Sequence, residues 1–155
     1  MKYAAFDLAL NTGFCVGQSF DANNPKKLVS GSHNFQKGSN RHKGDRFLRA
    51  LLWFENFLED HEPDVVYYEE VTFSHHKGST VYGGLFSILA ALCRAHNVHM
   101  IGVNVKVLKK HATGNGNATK AMMIDSCRSY GIDPVDDDEA DAVCLYQYAV
   151  CTSDR

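Results

Sequence analysis

The opening seventeen residues, MKYAAFDLALNTGFCVG, constrain the fold of this chain more than any other stretch. Tyr3 to Leu10 is a short apolar run with one acid, Asp7, in its middle. Asn11, Thr12 and Gly13 interrupt it, and a second β-prone run follows from Phe14 to Phe20. Two such runs about an Asn/Thr/Gly break predict a β-hairpin with its turn at residues 11–13. A carboxylate at the centre of a buried strand, left without a partner, costs on the order of several kcal/mol. Asp7 therefore requires a cation, a hydrogen-bond network or a metal ion.

Along the chain, Lys27 to Phe35 reads as a third strand, with Leu28 and Val29 its strong β-formers. Gln36 to Asp45 is polar and glycine-containing, either a solvated loop or, through Arg41 and Lys43, a phosphate-contacting one. Arg46 to Asp60 predicts an amphipathic helix whose buried stripe is Phe47, Leu51, Phe54 and Leu58, widened by Leu48 and Leu52. Val65 to Val71 predicts a strand ending in Glu69 and Glu70; alternation lets only one of the two share a face with Asp7. The polar connection from Thr72 to Ser79 leads to a second helix, Thr80 to His96, in which Gly83 and Gly84 permit close backbone approach. Val98 to Val103 predicts a fifth strand. Lys106 to Lys120 is the most basic segment and rich in turn residues, and its Gly-Asn-Gly loop is not a Walker loop. Asn117 or Thr119 would cap a helix reaching Tyr130, with Gly131 as its stop, and a last helix follows the acids at 136–141.

Composition removes several classes. The length of 155 residues suits one domain, taken as 1–155. No run of 18 apolar residues occurs and the N-terminus has no signal-peptide profile, so the expectation is a cytoplasmic chain without a membrane partner. Five cysteines, odd in number and without a CxxC pair, read as reduced core residues rather than a disulfide frame or zinc site. The formal net charge of −2 alone argues against nucleic acid, but acids and bases are segregated along the chain.

The last helix holds the second acidic concentration. Asp136 and Asp137 are accounted for by the favourable dipole of a first helical turn. Asp138 and Asp141, three apart, share a face. If that face meets the sheet edge bearing Asp7 and Glu69, four carboxylates converge and need a divalent cation to offset their repulsion. Oxygen-only ligands suit Mg²⁺ or Mn²⁺.

The order of elements is a ribonuclease H-like α/β layout: a five-stranded mixed sheet, three antiparallel strands then two parallel, flanked by helices. Within that layout the chain resembles the RuvC-type Holliday-junction resolvases across most of its length. Four blocks in order carry the resemblance: FDLALNTGFCVG with Asp7, VVYYEEVTF with Glu69, LKKHATGNGNATK with Lys109 and Lys120, and DDDEADAVCL with Asp138 and Asp141. It implies a metal-dependent endonuclease that resolves four-way DNA junctions, with Asp7, Glu69, Asp138 and Asp141 as metal ligands. Lys109 and Lys120 would stand near the scissile strand, Lys120 assisting catalysis. Lys110, Arg41 and Lys43, with Phe73, His76 and Lys77 of the polar connection, complete the expected nucleic-acid-binding set. The chain departs from the family pattern by Asp-Leu-Ala-Leu in place of Asp-Pro-Gly, by Glu70 where glutamine is usual, and by the absence of a basic tail. These features resemble the shorter phage-encoded members.

The mechanism so implied uses two Mg²⁺ ions about 3.5–4 Å apart, bridged by Asp7, for in-line hydrolysis of the phosphodiester. Mn²⁺ is expected to substitute. A homodimer is expected as well, through the Thr80–His96 helix, whose Tyr82 and Phe86 lie partly off the buried stripe; two symmetric nicks need two symmetric sites. Two other readings stand beside this one. A ribonuclease H-like nuclease could act instead on flaps, forks or RNA–DNA hybrids. A non-catalytic binding domain of the same fold would gain nothing from four acids beside phosphate.

Overall fold

A computed structural model of the chain describes residues 1–71 and 79–153. Strands β1 (Lys2–Asp7), β2 (Asn11–Gln18) and β3 (Val29–Asn34) are joined antiparallel, and β4 (Val65–Glu70) and β5 (His99–Asn104) continue the sheet parallel to β1. The five strands lie in the order β3-β2-β1-β4-β5. Helices α1 (Asp45–His61), α2 (Ser79–Ala95), α3 (Val105–Thr113), α4 (Lys120–Ser129) and α5 (Asp137–Ser153) cover its two faces. The architecture is the expected mixed sheet flanked by helices.

Strand alternation sorts the core into two halves. Tyr3 and Ala5 of β1, Cys15 of β2, Val65 and Tyr67 of β4 and Val103 of β5 face α3, α4 and α5, where Leu108, Met123, Val143 and Tyr146 are buried. The intervening residues Ala4, Phe6, Val16 and Val66 face α1 and α2, against Phe54, Phe57, Leu85 and Leu89. α5 is buried around most of its circumference, between the sheet and α4. Alanines 140, 142 and 149 are fully buried along it and let it lie close to β1 and β2. Each large side chain buried in these cores contributes about 1.5–3 kcal/mol. Four of the cysteines belong to the cores, while Cys151 is exposed.

Four local expectations are corrected. The hairpin turn lies at Leu8–Leu10, and Asn11, Thr12 and Gly13 belong to β2. The buried Thr12 hydroxyl donates to the Ala9 carbonyl at 2.6 Å, closing the turn three residues earlier than the Asn/Thr/Gly pattern indicates. On α1 the buried stripe is Ala50, Phe54, Phe57 and Leu58, while Leu48, Leu51 and Leu52 are 55%, 39% and 57% exposed. Phe54 and Leu58 are buried as expected, and the aromatic cluster of Phe6, Phe14, Phe35 and Trp53 turns the helix so that Ala50 and Phe57 are buried in place of Leu51. The basic segment contains a helix that its turn-rich composition concealed: α3 starts at Asn104, whose side chain accepts from the Lys106 N–H at 2.9 Å, and stops at Gly114 with φ +79°. Among the described residues, only Gly84 of the paired glycines in α2 meets a neighbour; a Cβ there would stand 2.4 Å from Phe47, whereas at Gly83 none of the described residues lies within 4 Å. Thr119, not Asn117, caps α4.

Candidate active site

The carboxyl ends of β1, β4 and β5 and the first turns of α5 form the candidate site. Asp7 is the last residue of β1, and the register Phe6↔Tyr68 sets it level with Glu69 on the adjacent parallel strand. Asp7 and Glu69 have the parity of Tyr3, Ala5 and Tyr67, so both face α5. Glu70 has the opposite parity and is exposed. α5 crosses this edge and supplies Asp138 and Asp141. Its close approach is possible because β2 has no side chain at Gly13, the partner of Asp7 in the register. A Cβ on Gly13 would stand 1.8 Å from the Asp138 carbonyl oxygen.

Electrostatics show that the four acids share one field. Burial, followed by the charges of Glu69, Asp141 and Asp138 and a hydrogen bond with Asp138, holds the Asp7 carboxyl well above the usual carboxylate range. Burial also raises Glu69, against an opposing contribution from the Lys109 ammonium. Asp141 is pushed up to about 7 by burial and Glu69, with Lys109 again opposing. Desolvation, joined by like charge at Asp7 and Asp141, outweighs the Lys109 ammonium here.

The cations divide unequally. Lys109, half-buried on α3, faces Glu69 and Asp141. Lys120, exposed at the start of α4, pairs with Asp137 and feels Asp138 and Asp141, which raises its pKa. Lys110 is exposed on α3, away from this pairing, and Arg41 and Lys43 are exposed on the loop between β3 and α1. Phe73, His76 and Lys77 lie outside the described residues.

A hydrogen-bond network behind the acids was hidden from the sequence reading. The Asn11 amide donates to Asp138 Oδ2 at 2.6 Å and to Asp136 Oδ2 at 3.0 Å. The Ser32 hydroxyl also donates to Asp136. Asp136 caps α5, accepting from the Glu139 N–H at 2.9 Å. Burial alone would raise the Asp136 carboxyl, but hydrogen bonds from Ser32, the Glu139 N–H and Asn11 outweigh it and hold it below the usual range. Glu139, only 4% exposed, accepts from the Ser30 hydroxyl and the Val135 N–H, both at 2.7 Å. β2 and β3 are thus tied to the start of α5 by polar side chains. With Asn11 read as a turn residue, nothing marked it for this role.

The donor set fits a hard divalent cation: oxygen-only, half-buried and, at Asp7 and Asp141, raised by burial and neighbouring carboxylates. As the side chains stand, no group of three or more His, Cys, Asp or Glu among the described residues is arranged to hold one ion. Among those residues, too, no helix is long and apolar enough to cross a membrane.

No protein-family model matches the sequence, and no curated protein matches it. The fold is similar to solved structures. RuvC of Thermus thermophilus aligns with a TM-score of 0.74 at 17% identity, over 99% of this chain and 96% of that one. The same protein in complex with a Holliday junction substrate aligns with a TM-score of 0.77 at 18% identity, over 97% and 96%. The yeast mitochondrial Holliday junction resolvase Ydc2 aligns with a TM-score of 0.67 at 13% identity, over 96% and 77%. At these identities the likeness establishes a RuvC-like fold spanning nearly the whole chain.

Proposed function

We propose that this RuvC-like chain is a metal-dependent endonuclease that resolves four-way DNA junctions by paired phosphodiester hydrolysis. The observation that carries the reading is the convergence of Asp7, Glu69, Asp138 and Asp141 at one end of the sheet, where burial and the charges of the other three raise the Asp7 carboxyl and burial and Glu69 raise Asp141. A fold gains no stability from such a cluster, whereas phosphoryl-transfer chemistry has a direct use for it.

In this proposal the four carboxylates hold Mg²⁺, two ions per site, with Mn²⁺ as a substitute. Bound there, the metal would supply Lewis acidity toward the phosphate and a water of lowered pKa. The protein's own groups do the rest. Asn11 holds the Asp138 carboxylate in place. Lys109 offsets the negative field at Glu69 and Asp141, so that a phosphate can approach. Lys120 can exchange Asp137 for a phosphate oxygen and place its charge where the transition state becomes more negative.

The test is incubation with an end-labelled four-way junction and Mg²⁺, with products resolved on a denaturing gel beside matched flaps, forks, duplexes and RNA–DNA hybrids. Symmetric nicks in the junction, lost on chelation and in Asp7→Asn with binding retained, are expected. Equal or better cutting of flaps, forks or hybrids would replace junction resolution with the broader nuclease reading, and full cutting by Asp7→Asn would remove the site.

The homodimer is part of the same proposal, but its surface changes. Tyr82 is buried and its hydroxyl donates to the Glu69 carbonyl at 2.9 Å, while Phe86 stacks on Tyr82 and packs against Tyr68. Tyr82 is thus committed to the core, and Phe86 is half-buried beside it. The exposed apolar area lies instead on α1, at Leu48, Leu51 and Leu52, beside α2. Sedimentation should show a dimer for the wild type and a folded monomer for Leu52→Glu; a monomeric wild type, with and without DNA, would end the dimer proposal.

A further inference from the structure

A cavity of about 420 Å³ opens between the loop after β3 and the first turns of α1 and α2. It lies at the same end of the sheet as the carboxylates but on the α1/α2 side. Its walls carry His42, Lys43 and Arg46, the amides of Gln36 and Asn40, and the ring of Phe47. Its volume falls within the range of about 300–1,000 Å³ typical of ligand sites.

The loop that forms it is built rather than merely solvated. Arg49 donates to the Phe35 carbonyl at 2.8 Å, to the Ser39 carbonyl at 2.7 Å and to Asn40 Oδ1. The Asn40 amide in turn bonds the Gln36 carbonyl at 3.0 Å and the Gly38 carbonyl at 3.3 Å. The nearby acid, Asp45, accepts from the His42 N–H at 3.0 Å. Arg46 differs from Arg49. Its guanidinium lies over the Phe47 ring at 5.2 Å, and its buried Nε has no hydrogen-bond partner among the described residues. A buried donor left unpaired costs about 1–3 kcal/mol, which an anionic oxygen in the cavity would relieve.

We propose that this cavity is a second, non-catalytic DNA site. It takes one backbone phosphodiester and its sugar from a substrate arm, Lys43 and Arg46 meeting the phosphate and Phe47 the sugar. The proposal rests on the nucleic-acid reading above but not on cutting.

Binding of a labelled four-way junction and of a plain duplex, measured by anisotropy in chelator over a range of salt, tests it. Lys43→Ala and Arg46→Gln should each weaken both complexes by about tenfold and flatten the plot of log K against log salt by about 0.9 per lost phosphate contact. Lys26→Ala, an exposed lysine before β3 with the same change of charge, should do neither. Lys43 is exposed, so its variant decides the matter even if Arg46→Gln folds poorly. In a separate titration, the ¹⁵N-labelled Arg46 Nε–H resonance should shift on adding a short thymidine oligonucleotide. Losses no larger than that of Lys26→Ala, or an unmoved Arg46 resonance, would overturn the site. DNA binding that depends on Lys43 in a chain that does not cut would sink the nuclease and leave this site standing. Cutting without Lys43 dependence would do the reverse, and a chain that binds no DNA would end both.

Discussion

Gly13→Ala tests whether the approach of α5 to β2 assembles the candidate site. Strand propensity alone favours alanine over glycine by about 0.5–1 kcal/mol. The contact opposes it: the new Cβ would stand 1.8 Å from the Asp138 carbonyl oxygen and 2.3 Å from its carbonyl carbon. Both are backbone atoms, so no rotamer relieves the overlap. Reaching even 3.4 Å means moving the first turn of α5 away from β2 by about 1.6 Å. Overpacking of this kind typically costs about 1–3 kcal/mol, which exceeds the propensity gain. In a chain of this size the net loss of about 1 kcal/mol lowers Tm by roughly 2–4 °C. The functional loss should be larger, since displacing a reacting group by about 1 Å can cost about 100-fold. Thermal unfolding by circular dichroism and single-turnover cutting of a four-way junction measure the two effects. A lower Tm with cutting reduced at least about 100-fold, and junction binding retained, is expected. Wild-type Tm and cutting in Gly13→Ala would refute the reasoning, because α5 would then not depend on the bare strand at that point. Gly83→Ala is the control: with none of the described residues within 4 Å of its Cβ, it should raise Tm slightly, as a helix-interior Gly→Ala gain of about 0.5–1 kcal/mol predicts.

Other predictions follow from the same geometry. Glu69→Gln should slow cutting by more than about 100-fold, beyond the roughly 10–100-fold of a residue supporting a metal ligand, while the exposed Glu70→Gln stays near wild type; the reverse ranking would place the site on the other face of β4. Asn11→Ala, which strips Asp138 and Asp136 of an amide donor, should weaken Mg²⁺ binding by about 10–100-fold, measured by calorimetry, and also lower Tm, since a hydrogen bond to a charged group contributes about 1.5–3 kcal/mol. Asp141, raised in the folded state from 3.8 to about 7, binds more protons folded than unfolded across that interval, so the metal-free protein should lose stability as pH rises from about 4 to about 7. Asp141→Asn should flatten that part of the Tm profile, and saturating Mg²⁺ should restore wild-type stability at the alkaline end; a Tm that climbs across the window would contradict the assignment. Lys109→Ala should raise the pKa values of Glu69 and Asp141 further and slow cutting, whereas Lys110→Ala, on the exposed side of α3, should change only the salt dependence of binding.

The sequence by itself determined the kind of sheet, the parity of its strands and the identity of the acids that can share a face. Those properties follow from period-two alternation and from where carboxylates interrupt apolar runs, and both are local. Alternation required one of Glu69 and Glu70 to face away from Asp7, and three-residue spacing put Asp138 beside Asp141 on α5. Tertiary structure decided which candidates win. On α1 the periodicity marked Phe54 and Leu58, but only the aromatic side chains arriving from β1, β2 and the end of β3 decided that Phe57 and Ala50, rather than Leu51, complete the buried face. The Asn/Thr/Gly triplet reads as a turn because those residues favour turns. It lies in β2 because Thr12 closes the turn earlier, Asn11 holds the start of α5 and Gly13 makes room for its backbone. These partners lie more than a hundred residues away along the chain for Asn11 and Gly13. No local pattern encodes a contact whose second half is a helix backbone, so the glycine that lets the acids meet becomes legible only once α5 is in place.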